Sequence, residues 1–128
     1  MTNRCHEDAP AEVREGIAMY NRGEYYECHE VLEDAWRAEP DEVRFLYQGI
    51  LQIGVAFHHL GNQNWRGAVG LLQRGIENVS RFTPRCQGVD TDRLVRESRR
   101  CLICLREIGP EQQDLFDWQL VPVIHTDW

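Results

Sequence analysis

From Phe45 to Leu60, apolar side chains point in nearly every direction around a helical wheel. Phe45, Leu46, Gly49, Ile50, Ile53, Ala56, Phe57 and Leu60 cover one broad side, and Leu51 and Val55 fall on the other. A helix that is apolar nearly all round must be enclosed by protein. It is interrupted by Gln48, Gln52, His58 and His59, and no apolar run in the chain reaches the about 18 residues of a membrane span. The segment therefore reads as the central helix of a soluble core.

The flanking sequence supplies the helices that enclose it. Ala11 to Tyr20 is amphipathic, with Val13, Ile17 and Tyr20 on one side, and stops at Asn21-Arg22-Gly23. Tyr25 to Arg37 follows and ends before Pro40, which disfavours helix at Glu39. Asp41 is placed to cap the central helix and Gly61 to end it. Asn64 is placed to cap a fourth helix, in which Ala68, Leu71, Leu72, Gly75, Ile76, Val79 and Phe82 repeat at helical spacing. Gly75, in the middle of that face, reads as a point of close helix contact, and Trp65 as a lid over the bundle end. After Pro84 and Gly88, Asp90 or Thr91 starts a fifth helix carrying Leu94, Ser98, Cys101, Leu102, Leu105 and Ile108, closed by Gly109-Pro110.

No segment alternates as a half-buried strand does; Val121-Pro-Val-Ile124 comes nearest, and its proline demotes it. The expected fold is all-α, an up-and-down bundle of four to five helices in one domain spanning 1–128. Residues 109–128, which hold Phe116, Trp118 and Trp128, are expected to dock as an irregular tail.

Charge narrows the partners. The chain has 128 residues, with 14 basic against 21 acidic and a net charge of −7. Every basic residue is arginine. Without a cationic patch, a nucleic-acid backbone is not an expected partner, nor is a membrane; a homo-oligomer is a candidate assembly. The absence of lysine fits a GC-rich genome or a salt-adapted surface, and the modest acidic excess favours the former. The polar N-terminus has no secretory pattern, so the expected location is cytoplasmic. The five cysteines include Cys101-Leu-Ile-Cys104, which has CxxC spacing. It falls within a helix and lacks a second metal-binding pair, so free thiols packed as small hydrophobes are expected. Cys5-His6 joins that pair only if the N-terminus folds back.

Two helices carry polar residues that do not fit a core. On the second, His29, Glu33, Tyr26, Arg37 and Glu30 form a stripe beside the apolar face of Val31, Ala35, Cys28, Leu32, Tyr25 and Trp36. His29 with Glu33, and Glu33 with Arg37, are four residues apart and share a face. On the central helix Gln48, Gln52 and His59 fall within a narrow arc, whereas His58 points away with Tyr47. Such groups need partners, since an unpaired buried polar group costs about 1–3 kcal/mol. Two chemistries follow. His29, Glu33 and His59 could hold a divalent metal, with Glu30 as the base acting on metal-bound water and Gln48, Gln52, Tyr26 and Arg37 contacting substrate or the ligands. Alternatively, the same groups form a structural hydrogen-bond network closed by Arg37, which a short HExxE pattern favours on residues alone.

These motifs resemble the small helical family catalogued as domain of unknown function 309. The likeness runs through Tyr20–Arg37, with its His29-Glu30-Val31-Leu32-Glu33, then Phe45–Gln52, His59-Leu60, Asn64–Ala68 and Gly88–Asp90, about residues 15 to 105. The resemblance implies a helical bundle core and, from a label given to some members, metal-dependent hydrolysis. It places the family's polar motif on His29, Glu30, Glu33, Gln48, Gln52 and His59. One departure is Gln63-Asn64, where the family carries Gly-Asn.

Overall fold

The computed structural model describes residues 2–128. Five α-helices follow one another: α1 (Ala11–Asn21), α2 (Glu27–Ala38), α3 (Arg44–Gly61), α4 (Trp65–Ser80) and α5 (Thr91–Ile108). A short 3-10 turn, Asn3–His6, precedes them, and two more, Pro110–Leu115 and Trp118–Leu120, lie in the tail. Among the described residues there is no β-strand; Val121–Ile124 stays extended, and Val89 makes isolated bridges with Cys86 and Thr126. The all-α bundle expected from the helical periodicities is the observed architecture.

Consecutive helices pack on one another, and α3 is the hub, touching α1, α2 and α4. Leu46, Tyr47, Ile50, Ile53, Ala56, Phe57 and Leu60 of α3 are all buried, as an all-round apolar helix requires. Its most intimate partner is α4. A Cβ added at Gly75 would lie 2.8 Å from Ile53 Cγ1 and 2.9 Å from the Gly49 carbonyl oxygen. One added at Gly49 would lie 2.8 Å from Val79 Cγ2. The two glycines thus let the α3 and α4 backbones approach closely.

The helix ends show where side chains replace the missing backbone partners. The Asn64 side chain accepts from Gly67 N, and Asp90 accepts from Arg93 N. Asp41 does not cap α3. Its Oδ1 accepts from the Val43 amide at 2.9 Å and from the Thr2 hydroxyl at 2.7 Å, which commits it to the turn before the helix. Nor does Gly61 close α3 as a left-handed residue: it is the last helical residue, and the positive φ of 61° falls on Gln63. Gly109 ends α5 at φ 73° as expected. The Trp65 indole donates to the Leu105 carbonyl at 2.7 Å, tying the start of α4 to α5.

The tail docks. Tyr20 Oη donates to the Pro122 carbonyl at 2.8 Å, and the Asn21 amide both donates to and accepts from the backbone of Ile124. Phe116 and Ile124 are buried. The N-terminus also folds back, but not toward Cys101 and Cys104. Cys5 is joined to Cys86 in a disulfide, so the expectation of free thiols fails for these two. Cys28, Cys101 and Cys104 are free. Among the described residues, no helix is long and apolar enough to cross a membrane.

Candidate functional site

The polar stripe of α2 borders α3 at the surface of the bundle. The apolar positions Cys28, Leu32 and Ala35 turn inward and are buried, which rotates His29, Glu33 and Trp36 onto the flank. His29 Nε2 meets Glu33 Oε2 at 2.7 Å. Arg37 pairs with the other carboxylate oxygen, Oε1. Both oxygens of Glu33 are therefore engaged by its own helix, one turn to each side. The pair is half-buried, with His29 and Glu33 side chains 30% and 26% exposed, while Arg37 is 66% exposed.

Glu33 borders two shallow hollows. One, of about 210 Å³, is lined by His29, Glu30, Glu33, Asp34 and Arg37. The other, of about 280 Å³, is lined by Glu33, Trp36, Gln48, Leu51, Gln52 and Leu71. The structure thus brings Glu33 to Gln48 and Gln52 across the α2/α3 groove. Gln52 is partly spoken for, its Oε1 accepting from Asn78 Nδ2 of α4 at 2.8 Å. His59 lines neither hollow. Its Nδ1 lies 3.4 Å from the Asn64 amide nitrogen at the far end of α3. The histidine of α3 that reaches the α2 stripe is His58, whose ring centroid is 4.7 Å from that of Tyr26, and Tyr26 in turn stands 5.6 Å from His29. The wheel had turned His58 away with Tyr47; Tyr47 is buried, whereas His58 is half-exposed.

Among the described residues, no three His, Cys, Asp or Glu side chains converge so as to hold a metal ion. Glu33 has no oxygen left unengaged, and His59 stands with Asn64. As arranged, the set does not fit a three-ligand centre. His29 Nδ1, however, is enclosed without a hydrogen-bond partner, as are Trp36 Nε1 and Arg44 Nε. The Arg44 guanidinium lies 4.7 Å over the Trp36 ring, a cation–π contact between α3 and α2.

The sequence reading missed a second polar cluster at the other end of α2. Arg4 forks onto Glu39 with contacts of 3.0 and 2.8 Å, and Thr2 donates to Asp41. Tyr47 Oη donates to Gln87 Oε1 at 2.7 Å, and Gln87 is almost wholly buried. These are long-range contacts among α3, two inter-helix links and the N-terminal arm. Nothing in local spacing reports them.

Known proteins share part of this chain. Residues 13–71 match the family described as Domain of unknown function (DUF309). That stretch holds most of α1, all of α2 and α3, the start of α4 and every residue of the α2 stripe. The chain is similar to the uncharacterized protein YpuF of Bacillus subtilis (strain 168), with 41% identity over 61 residues, 47% of this chain and 35% of the relative. It is also similar to an uncharacterized protein of Aquifex aeolicus (strain VF5), with 20% identity over 98 residues, 76% of this chain and 29% of the relative. The matches span about a third of the length of these curated relatives. The DUF309 match fits the helical fold and carries no stated activity.

Proposed function

We propose that this chain is a non-catalytic helical module whose α2/α3 groove is a recognition surface, its polar stripe forming one edge of that surface. One observation carries the reading: both carboxylate oxygens of Glu33 are already engaged, by His29 and Arg37, at the border of two hollows. A carboxylate held in this way orients its neighbours and gives the groove a fixed polar edge. Gln48 and Gln52 supply amides for a partner's backbone, beside the apolar Leu51, Leu71 and Trp36. A chain with a net charge of −7 and no lysine offers a nucleic-acid backbone or an anionic bilayer little attraction, so the partner is a protein. A second copy is one form of it, for which the exposed Leu115, Trp118 and Val123 of the tail provide apolar contact. Light scattering would then give a dimer mass.

A double-mutant cycle on His29→Ala and Glu33→Ala tests the module reading, run with and without a strong chelator. The network reading expects a coupling of about 0.2–0.5 kcal/mol, the same in both conditions. A coupling that vanishes in chelator contradicts it.

Metal-dependent hydrolysis, implied by the family resemblance, is the second reading. The enclosed, unpartnered His29 Nδ1 beside Glu30 favours it. In that reading His29, Glu33 and His59 are the ligands and Glu30 the base, which requires His59 to leave Asn64 and Glu33 to release Arg37. Chelator-sensitive hydrolysis lost in Glu30→Gln would support it.

A further inference from the structure

A different part of the molecule carries chemistry that the groove does not use. Cys5 in the N-terminal arm is bonded to Cys86 in the α4–α5 link, residues 81 apart in sequence. The two sulfurs sit in different surroundings. Cys86 is fully buried, whereas Cys5 is partly exposed and lines a cleft of about 550 Å³ that Cys86 does not reach. This is the largest hollow described, within the range of clefts that hold small ligands, about 300–1,000 Å³. Its walls carry both charges: Arg14 and Arg85 against Glu7, Asp8 and Asp127. Arg85 is paired with Asp127, and the Arg14 guanidinium stands 5.0 Å over the Trp128 ring, so the walls are braced.

We propose that Cys5–Cys86 is a thiol–disulfide exchange site, entered at Cys5 by a zwitterionic low-molecular-weight thiol. The thiolate of that molecule attacks Cys5 Sγ, a new S–S bond forms there, and the Cys5–Cys86 bond breaks. The electron pair leaves on Cys86, which takes up a proton. A second molecule of the thiol attacks the sulfur of the small thiol in the mixed disulfide, and Cys5 departs as its own thiol. The balance is one protein disulfide reduced to two thiols and two small thiols oxidised to their disulfide.

The bond is placed to control the arm. Besides Cys86, the arm is held by the Cys5 carbonyl accepting from Gln87 N at 2.8 Å, by the Arg4 carbonyl accepting from Gln87 Nε2 at 3.2 Å, by Arg4 on Glu39 and by Thr2 on Asp41. Partly exposed ion pairs are weak anchors. Breaking the covalent link therefore frees residues 2–9 and bares the end of the bundle around Glu39, Tyr47 and Gln87, while the five helices remain packed. The other thiols do not compete. Burial pushes the Cys28 and Cys101 thiols up to about 12, leaving little thiolate near neutrality. Cys104, half-exposed and free, serves as an internal control for labelling.

The test uses the full chain, purified in air and exposed to millimolar reduced glutathione. It is then quenched with N-ethylmaleimide and mapped by mass spectrometry. Before glutathione, Cys104 labels and Cys5 and Cys86 do not. During partial reduction, the glutathione adduct appears on Cys5 and the maleimide on Cys86. Hydrogen exchange on the fully reduced chain shows residues 2–9 losing protection while α2 to α5 keep theirs. The proposal is overturned by adducts confined to Cys86, by Cys5 and Cys86 labelling before any thiol is added, or by a bond that glutathione opens only in denaturant. An arm equally protected in both redox states overturns it as well.

Discussion

Gly75 shows how much a single atom decides in this bundle. A methyl group there would press on the Gly49 carbonyl oxygen and on Ile53, including its backbone nitrogen 3.1 Å away, and backbone cannot give way as a side chain can. Gly75→Ala is expected to cost about 1–3 kcal/mol through overpacking, read by urea denaturation. Gly70 lies on the same helix, but an added Cβ meets only the end of Arg74, 3.9 Å away. Gly70→Ala is therefore expected to stabilise by up to about 1 kcal/mol through helix propensity. Tyr47 gives a second residue-scale prediction. Burial pushes its hydroxyl up to about 12, while its hydrogen bond to Gln87 acts in the opposite direction. The folded state thus holds this proton more tightly than the unfolded chain, whose phenol titrates near about 10. Stability contributed by the neutral phenol is present below that value and is lost as pH rises toward 12. A Tyr47→Phe variant is expected to show a shallower alkaline decline in denaturation midpoint between pH 10 and 12. The importance of Gly75 could be read from its mid-face position. The role of His59 could not, because a wheel gives the direction from an axis and not which neighbour a flexible ring will meet.

Among the elements, α3 was the most legible, because an apolar surface on every side leaves one place for a helix to go. Its ends were not legible. Asp41 has the right residue type for a cap, yet Thr2, distant in sequence, competes for the same oxygen and the turn before α3 takes the other contact. Asn64 has no such competitor: its Oδ1 accepts from Gly67 N at 3.0 Å. Asn64→Ala should therefore lower stability by about 0.5–2 kcal/mol, with the earliest amide exchange in the first turn of α4. A loss confined to α3 would mean that the Asn64–His59 contact, and not the cap, is what the side chain supplies. The α2 stripe was legible as a pattern, since positions 29, 33 and 37 must share a face. What the pattern left open was whether Glu33 keeps an oxygen for a ligand, and side-chain pairing decided that.

At the scale of the whole molecule, the bundle is closed at one end by a clamp that joins segments far apart in sequence. The Cys5–Cys86 bond, Arg4 on Glu39 and Thr2 on Asp41 bring the arm to two inter-helix links. Pairing of this kind depends on which Cα atoms the fold brings together, which spacing along the chain does not encode. The clamp should also be acid-sensitive. Hydrogen bonds from Thr2 and the Val43 amide hold the Asp41 carboxyl below its ordinary range. A depressed carboxyl contributes stability that is present above the unfolded value, about 3.9, and is lost as pH falls through the folded one. Protection of residues 2–9 is therefore expected to fall on acidification before that of the helices, and less so in Asp41→Asn, where the group no longer titrates. The central claim concerns α2: the His29–Glu33–Arg37 stripe is a structural ion-pair network edging a recognition groove. Elemental analysis of the full chain, purified without chelator or added metal, tests it most directly. The account predicts far less than one equivalent of zinc, manganese or iron per chain; near-stoichiometric metal that disappears in His29→Ala would contradict it.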